Sequence, residues 1–204
     1  MSKLLQTFCN NRHESSSHTK MELVSTDLAE YTSDDWLTPP IIYDAFDEMG
    51  GVGLDPCSNP ASRVDARFRF IHEAHERIVQ SSWARYTGQV LRGKDGLLDS
   101  WDGYGLVYVN PPYSDPAPWV EKAAHEGAEV VLLLPAATGT RWWHKYVKMA
   151  DVILFWEGRI KFLDPLDGKP KHPARGDSAL VYWGFRTELF KQVFAGCGWF
   201  VNGE

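Results

Sequence analysis

The stretch Val107-Tyr108-Val109-Asn110-Pro111-Pro112-Tyr113 is the feature that decides the fold. Its first residues are apolar without alternation, which is typical of a strand buried on both faces of a parallel sheet. The two prolines have no N–H group and a fixed φ, so neither strand nor helix continues through them. The stretch therefore predicts a rigid corner at the carboxyl end of a central strand, where open α/β sheets bind ligands.

Outward from this corner, apolar strands alternate with helical spacing, which predicts an α/β fold with a mostly parallel sheet in a single domain. The last strands could run antiparallel at the edge of that sheet. Helices are predicted over residues 39–49, 73–80, 118–127, 138–150 and 188–195, and strands over residues 68–71, 106–110, 129–134, 151–156, 179–183 and 199–201. Residues 52–60 predict a short strand that runs into a turn-rich loop. Residues 61–95 are the part of the chain that the pattern describes least.

The N-terminal residues 1–30 are mostly polar and predict a flexible tail, so the domain is expected to span residues 31–204. A length of 204 residues suits one domain with a full core. No apolar run approaches the ~20 residues of a membrane helix, and the start of the chain has no signal-peptide core. Three cysteines and seven histidines without ligand spacing indicate reduced thiols, a cytoplasmic protein and no metal site.

The charge is unevenly distributed. A net charge of −6 argues against a protein that coats nucleic acid without specificity. The stretch from Arg141 to Arg175, however, contains eight lysines and arginines and only four acidic residues. This region predicts either a face that holds a phosphate backbone or an ordinary solvated loop, and the sequence favours neither.

The corner also predicts chemistry. The side-chain carbonyl of Asn110 and the backbone carbonyl of the following proline are two acceptors that can take both hydrogens of an –NH2 group. Such bonds make the nitrogen lone pair more nucleophilic, and Tyr113 offers a flat face on which a base can stack, worth roughly 1–3 kcal/mol. The alternative is a plain Pro-Pro turn with a core tyrosine, but the position after a buried strand favours the functional interpretation.

The pattern of motifs resembles the phage-type DNA N-6-adenine methyltransferase family over most of residues 34–185. Asn110-Pro111-Pro112-Tyr113 is similar to the catalytic motif of amino-methyltransferases that use S-adenosylmethionine. The other motifs follow in the family's order: Trp36-x-Thr38-Pro39, Leu54–Pro60, Asp95-Gly96-Leu97, Leu132–Ala136 and Gly158–Phe162. The resemblance implies a Rossmann-like methyltransferase fold with S-adenosylmethionine as cofactor.

On the cofactor side, the resemblance assigns binding to Trp36, Thr38, Pro39, Asp55, Pro56, Cys57 and Asp99. Trp36, Thr38 and Pro39 are equally consistent with a helix cap and a core tryptophan, and Asp99 with a solvated carboxylate. The loop departs from the family pattern because Ser58-Asn59-Pro60 replaces glycines. Asp65 and Glu73 are possible ribose ligands, and neither is assigned. Cys57 is interpreted as a packing residue, which implies direct in-line transfer without a covalent enzyme intermediate.

On the target side, the resemblance implies double-stranded DNA from which an adenine is flipped out. Tyr113 is expected to stack on the adenine and Phe162 to close its other face. Arg159, Lys161 and Arg141 are the expected substrate-binding residues of the basic rim. No stretch of ~100 residues remains for a separate recognition domain, so loops at residues 61–95 and 161–177 are expected to read the sequence.

Three other functions remain open from the sequence. Release-factor glutamine N5-methyltransferases share the tetrapeptide, but the missing glycines and the Trp-x-Thr-Pro start disfavour them. Cytosine-N4 methyltransferases usually carry Ser where this chain has Asn110. A catalytically silent DNA-binding protein on the same fold is the third. The family resemblance also suggests a bacteriophage or bacterial setting, with protection from restriction as one possible role and with the oligomeric state undetermined.

Overall fold

A computed structural model describes residues 32–71, 88–170 and 173–203 of the chain. These residues form one eight-stranded sheet with helices on both faces. The strands are β1 (Val52–Ser58), β2 (Ala66–Ile71), β3 (Gln89–Val90), β4 (Leu106–Val109), β5 (Glu129–Pro135), β6 (Val152–Trp156), β7 (Ser178–Trp183) and β8 (Gly198–Asn202). The α-helices are α1 (Pro40–Tyr43), α2 (Ala117–His125), α3 (Arg141–Tyr146) and α4 (Thr187–Val193).

The strand order is β3-β2-β1-β4-β5-β7-β6-β8. Strands β1 to β5 pair in parallel, while β7 is antiparallel to both β5 and β6, and β8 is antiparallel to β6. Six strands therefore point one way and two point the other. The predicted α/β class with a mostly parallel sheet is confirmed, as is the expectation of antiparallel strands late in the chain.

Two apolar clusters cover the two faces of the sheet. On one face, α1, its 3₁₀ continuation over Asp44–Met49 and α4 pack against side chains such as Tyr108 and Val131. On the other face, α2 and α3 pack against Val107 and Val130. Neighbouring residues of β4 and β5 thus point to opposite faces, and both sides are apolar because helices cover both.

The predicted corner lies at the centre of this sheet. All four residues of β4 are buried, and β4 lies between β1 and β5. Regular strand structure ends at Val109, so Asn110 is the first residue beyond the edge. Because β1, β4 and β5 run in parallel, the residues that follow Ser58, Val109 and Pro135 meet at this carboxyl edge.

The predicted helix over residues 39–49 is an α-helix only from Pro40 to Tyr43 and a 3₁₀ helix from Asp44 to Met49. The prediction that Thr38 caps it is wrong. Pro39 occupies the N-cap position without a side-chain hydrogen bond, and the Thr38 hydroxyl instead bonds the Tyr108 hydroxyl at 2.8 Å. Gly50 ends the element with a positive φ of 91°, as its glycine predicts.

Other boundaries differ modestly. Strand β1 continues through Pro56 to Ser58, because its partner β2 pairs with it as far as Ile71. Strand β3 was not predicted, since two residues carry no periodicity. Helix α3 starts at Arg141 rather than at 138, after two tight turns. The predicted helix at 73–80 and the predicted tail over residues 1–30 lie outside the described residues.

Candidate active site

The amide of Asn110 is held in one orientation. Its Nδ2 donates a hydrogen bond to the backbone carbonyl of Trp36 at 3.1 Å. A carbonyl can only accept, so the atom facing it must be the nitrogen. The Oδ1 of Asn110 is buried and accepts no hydrogen bond from the residues that the structure describes. Buried acceptors are normally satisfied, so this oxygen is available to a donor from outside the chain.

Ser114, the residue after the corner, is held in place by Asp34. The Asp34 carboxylate accepts from the backbone N–H of Ser114 at 3.1 Å and from its hydroxyl at 2.5 Å. Both contacts join the segment before Trp36 to the segment after Tyr113. Sequence reasoning missed Asp34, because its partner lies 80 residues away and the local pattern shows only an acidic helix start.

A cavity of about 280 Å³ opens beside the corner. Its walls include Trp36, Asn110, Pro111, Tyr113 and Phe162, together with Ser33, Asp34, Pro135, Ala174, Arg175, Gly176 and Asp177. The Phe162 ring meets the Tyr113 ring edge-on, with centroids 5.7 Å apart, and lies 6.3 Å from the Trp36 ring. This aromatic cavity, with one unsatisfied amide oxygen in its wall, suits a flat ring that bears a hydrogen-bond donor.

The Tyr113 side chain contributes its ring rather than a charge. Burial raises the pKa of the Tyr113 hydroxyl well above its ordinary value, and the neighbouring Ser178 hydroxyl opposes that shift. The phenol therefore stays neutral at physiological pH. The direction of this shift disfavours a role as a general base, whereas a role as a stacking surface is unaffected.

Two further cavities adjoin the corner and share Cys57 and Pro112 in their walls. The smaller one, of about 30 Å³, is lined by Trp36, Thr38 and Asp55 among others. The larger one, of about 280 Å³, is lined by Pro56, Cys57, Ser58, Phe70, Asp95, Gly96, Leu97, Pro112 and Trp119. Trp36 and Asn110 line both this smaller cavity and the cavity beside Tyr113, so the two spaces adjoin at the corner. We call the cavity beside Tyr113 the target-side cavity and the other two the cofactor-side cavities, after the roles expected from the sequence.

Asp55 is buried in the wall of the smaller cavity. Its carboxylate accepts from the Cys57 N–H at 3.3 Å and the Ser62 hydroxyl at 3.4 Å, and it lies 3.9 Å from the Arg69 guanidinium. Burial raises the pKa of Asp55 above its ordinary value, while Arg69 and these hydrogen bonds oppose the increase. A cation entering the cavity would stabilise the ionised form further.

The thiol of Cys57 is not an activated nucleophile. Burial raises its pKa well above the ordinary value, and the nearby carboxylates of Asp55 and Asp34 raise it further. A thiolate, rather than a thiol, is the reactive form. The interpretation of Cys57 as a packing residue is therefore consistent with its surroundings.

The larger cavity depends on the glycine at position 96. A Cβ atom there would lie 2.1 Å from the carbonyl oxygen of Pro56 and 2.6 Å from the Trp119 ring. The indole of Trp101, which stacks beside Trp119, donates to the Gly96 carbonyl at 2.8 Å. Gly96 thus lets the loop approach β1 closely enough to close one end of the cavity.

We expect Gly96→Ala to destabilise the protein by roughly 1–3 kcal/mol, because the added methyl overlaps backbone atoms that have little room to move. Thermal or denaturant unfolding measures the change. Gly139→Ala is the matched control, since a Cβ at Gly139 meets nothing within 4 Å, and it should stay within about 0.5 kcal/mol of wild type. Equal stabilities for the two variants would contradict this account of Gly96.

The other residues expected to bind the cofactor do not all lie at a cavity. Thr38 and Pro39 are buried beside the corner. Asp99 does not line any of these three cavities: it accepts from the Asp95 N–H at 2.8 Å and from Lys94, which together lower its pKa. Asp95 lines the larger cavity instead. The signal for Asp95 was present in the sequence, because it belongs to the Asp-Gly-Leu motif.

The basic residues do not all reach the site. Arg159 is exposed and donates to the backbone carbonyls of Ala174 and Arg175, at 3.2 and 2.8 Å. Arg175, which belongs to the predicted basic region but was not assigned as a substrate-binding residue, lines the target-side cavity. Arg141 and Lys161 are exposed and line none of the three cavities.

In the described parts of the chain, no cluster of three or more His, Cys, Asp or Glu side chains could hold a metal ion. Among these same residues, no helix is both long enough and apolar enough to traverse a bilayer.

Comparison with known proteins gives a family and a structural likeness. A family model described as DNA N-6-adenine-methyltransferase (Dam) matches residues 64–190. A crystal structure of a presumed RNA methyltransferase from Pyrococcus horikoshii is similar at a TM-score of 0.44 and 15% identity, covering 69% of this chain and 78% of that one. A likeness at that level carries no argument about activity. The search among curated proteins finds no match.

Proposed function

The chain belongs to the DNA N-6-adenine-methyltransferase (Dam) family and has a Rossmann-like methyltransferase fold, and from that premise we propose that it is a site-specific DNA adenine-N6 methyltransferase. In this proposal S-adenosylmethionine is the methyl donor and a flipped-out adenine in double-stranded DNA is the acceptor. The free thiol of Cys57 fits a protein that works in the cytoplasm of a bacterial or phage-infected cell.

One observation carries the proposal: the oriented amide of Asn110. Because the Trp36 carbonyl takes the amide nitrogen, the unsatisfied Oδ1 is the atom presented at the corner. Oδ1 and the Pro111 carbonyl accept the two hydrogens of the adenine amine, which keeps electron density on its nitrogen. These acceptors lower the barrier by positioning and polarisation, and the proton that the amine would lose as it gains the methyl group would pass to water.

The cofactor-side cavities fit S-adenosylmethionine, which supplies a sulfonium methyl group when bound. Asp55 offers a buried carboxylate suited to the ammonium group of its methionine part. The larger cavity, between Pro56 and the Trp119 ring, offers an apolar slot for a flat base, and Gly96 lets the loop close one end of that slot. Cys57 lines both cavities, Trp36 and Thr38 line the smaller one, and Pro39 is buried next to Thr38. Asp99 holds the Asp95 loop in place.

The target-side cavity fits an extruded base. Tyr113 stacks on the adenine, and Phe162 and Trp36 close the space around it. Arg175, which lines the cavity, and the exposed Arg159, Lys161 and Arg141 are proposed to contact the phosphates around the extruded base. Binding that depends on these contacts should weaken steeply as salt is raised.

Cofactor affinity should depend on pH through Asp55. Because burial raises the pKa of Asp55, its carboxylate becomes protonated at a higher pH than an ordinary aspartate, and the protonated form cannot pair with an ammonium group. We therefore expect affinity for S-adenosylhomocysteine to fall as the pH is lowered from neutral into the mildly acidic range. Calorimetric titration measures the trend, and Asp55→Asn should bind weakly with a flatter pH profile. If the affinity of Asp55→Asn depended on pH as steeply as that of wild type, Asp55 would not be the group responsible.

The proposed function is tested by incubating the protein with S-adenosylmethionine labelled in its methyl group. Adenine-containing duplex DNA should become labelled, whereas a duplex of poly(dG)·poly(dC) and a protein extract should not. Label that appears in protein and never in DNA would favour glutamine methylation over this proposal. Cofactor binding without transfer to either substrate would favour a silent member of the fold.

A further inference from the structure

Arg69, in the middle of β2, is an arginine with no exposed surface. A buried guanidinium is costly unless it is paired and hydrogen-bonded. Three of its contacts reach the stretch from Asp55 to Val64: Nη1 donates to the Ser58 hydroxyl at 3.1 Å, Nη2 donates to the Val64 carbonyl, and Nη1 lies 3.9 Å from the Asp55 carboxylate. One side chain therefore ties the end of β1 to the far end of the loop that follows it.

That loop, residues 59–65, lines the smaller cofactor-side cavity through Asn59, Ser62 and Val64. It contains no glycine, so it cannot approach a ligand through the unrestricted backbone that glycines provide. Its shape comes from side-chain contacts instead. Asn59 accepts from the Ala61 N–H at 2.8 Å and donates to the Asp35 carbonyl at 3.2 Å, and Arg69 holds the other end.

We propose that Arg69 is the positioning residue that replaces a glycine-rich cofactor loop: its guanidinium fixes loop 59–65 and the Asp55 carboxylate in the geometry that receives S-adenosylmethionine. The inference rests on the proposed function, since it names what organises that same cofactor site. Arg69 touches neither substrate nor cofactor in this arrangement. It acts through Asp55, Ser58 and Val64, and the three contacts need a planar fork that lysine lacks.

The experiment compares Arg69→Lys with wild type by calorimetric titration of S-adenosylhomocysteine, which binds without turnover. We expect Kd to increase roughly tenfold or more, as loss of one charge-assisted hydrogen bond would produce. The kcat at saturating cofactor should stay within about twofold of wild type, because the corner at Asn110 is untouched. Arg67→Lys is the matched control: Arg67 is exposed on the same strand, and its Kd should not change.

The outcomes are separable. A wild-type protein that binds no S-adenosylhomocysteine contradicts the proposed function and this inference with it. Tight wild-type binding together with an unchanged Kd in a folded Arg69→Lys variant overturns the role of Arg69 alone. A variant that loses only thermal stability, with the Kd of its folded form unchanged, also overturns it, because that is what a purely structural arginine would give.

If Arg69→Lys does not fold, Ser58→Ala decides the question through amide hydrogen exchange in the cofactor-free protein. Removing the Ser58 hydroxyl deletes the 3.1 Å contact that anchors Arg69 to β1, together with the Ser58 hydrogen bond to Asp55, so the guanidinium that holds the Val64 carbonyl is itself less firmly held. Faster exchange confined to loop 59–65 supports the proposal. Exchange equal to that of wild type in this loop overturns it.

Discussion

Replacing Asn110 by alanine should reduce the rate of methyl transfer by roughly 10²–10³-fold, the cost typical of deleting one preorganised polar group from an active site. The loss follows from the oriented amide, whose Oδ1 is buried and unsatisfied among the described residues. Alanine removes that acceptor, so the amine nitrogen is no longer held or polarised. Single-turnover kinetics with preformed protein–DNA complex measures the effect on the chemical step.

The fold should survive this change. Asn110→Ala deletes one hydrogen bond, to the Trp36 carbonyl, which costs about 0.5–1.5 kcal/mol of stability. Affinity for S-adenosylhomocysteine should change little. Asn202→Ala, on the exposed end of β8, is the control and should transfer at the wild-type rate. A fully active Asn110→Ala variant would show that the Asn110 amide has no role in methyl transfer.

Tyr113→Ala should lower kcat/KM for DNA by a factor of about 5–150, which corresponds to the loss of roughly 1–3 kcal/mol of base stacking. The ring lines the target-side cavity and meets Phe162 edge-on at 5.7 Å, so alanine leaves one face of the base uncovered. Steady-state kinetics on a series of DNA concentrations measures the ratio.

The informative comparison is with Tyr113→Phe, which keeps the ring and removes the hydroxyl. Because burial holds the phenol neutral, it supplies no charge to the reaction, and the phenylalanine variant should stay within about threefold of wild type. A strong loss of activity in both variants would show that methyl transfer requires the Tyr113 hydroxyl. Equal, near-wild-type activity in both would show that the base does not stack on this residue.

The central corner could be predicted from sequence because its determinants are local. An uninterrupted apolar run, followed by an amide and two prolines, allows little besides a buried strand that stops abruptly. The same holds for β5 and for the Gly50 stop after the first helix, which depend on periodicity and on backbone freedom.

The contacts that make the corner chemically specific could not be predicted. Trp36 orients Asn110 through its backbone carbonyl, and the two residues are 74 positions apart in the sequence. Because the contact does not involve the indole, the identity of the tryptophan side chain gives no indication of it. Thr38 follows the pattern of a helix cap, yet its hydroxyl bonds Tyr108, because tertiary burial of two hydroxyls outweighs a local capping preference.

Arg69 and Asp95 show two different reasons for a miss. Arg69 lies in a stretch whose strand pattern is weak, and an arginine in a strand is normally taken as exposed, whereas here it has no exposed surface. Asp95 was part of a recognised motif, but the sequence could not distinguish it from Asp99 four residues later. Only the loop geometry does so, since Asp99 turns inward to bond the Asp95 N–H.

The identity of the modified nucleoside tests the central claim most directly. Duplex DNA treated with the protein and S-adenosylmethionine is digested to nucleosides and analysed by mass spectrometry, beside DNA treated with Asn110→Ala. The account predicts N6-methyladenine in the first sample and only a trace of it in the second. N4-methylcytosine as the product, or a wild-type sample with no methylated nucleoside at all, would contradict it.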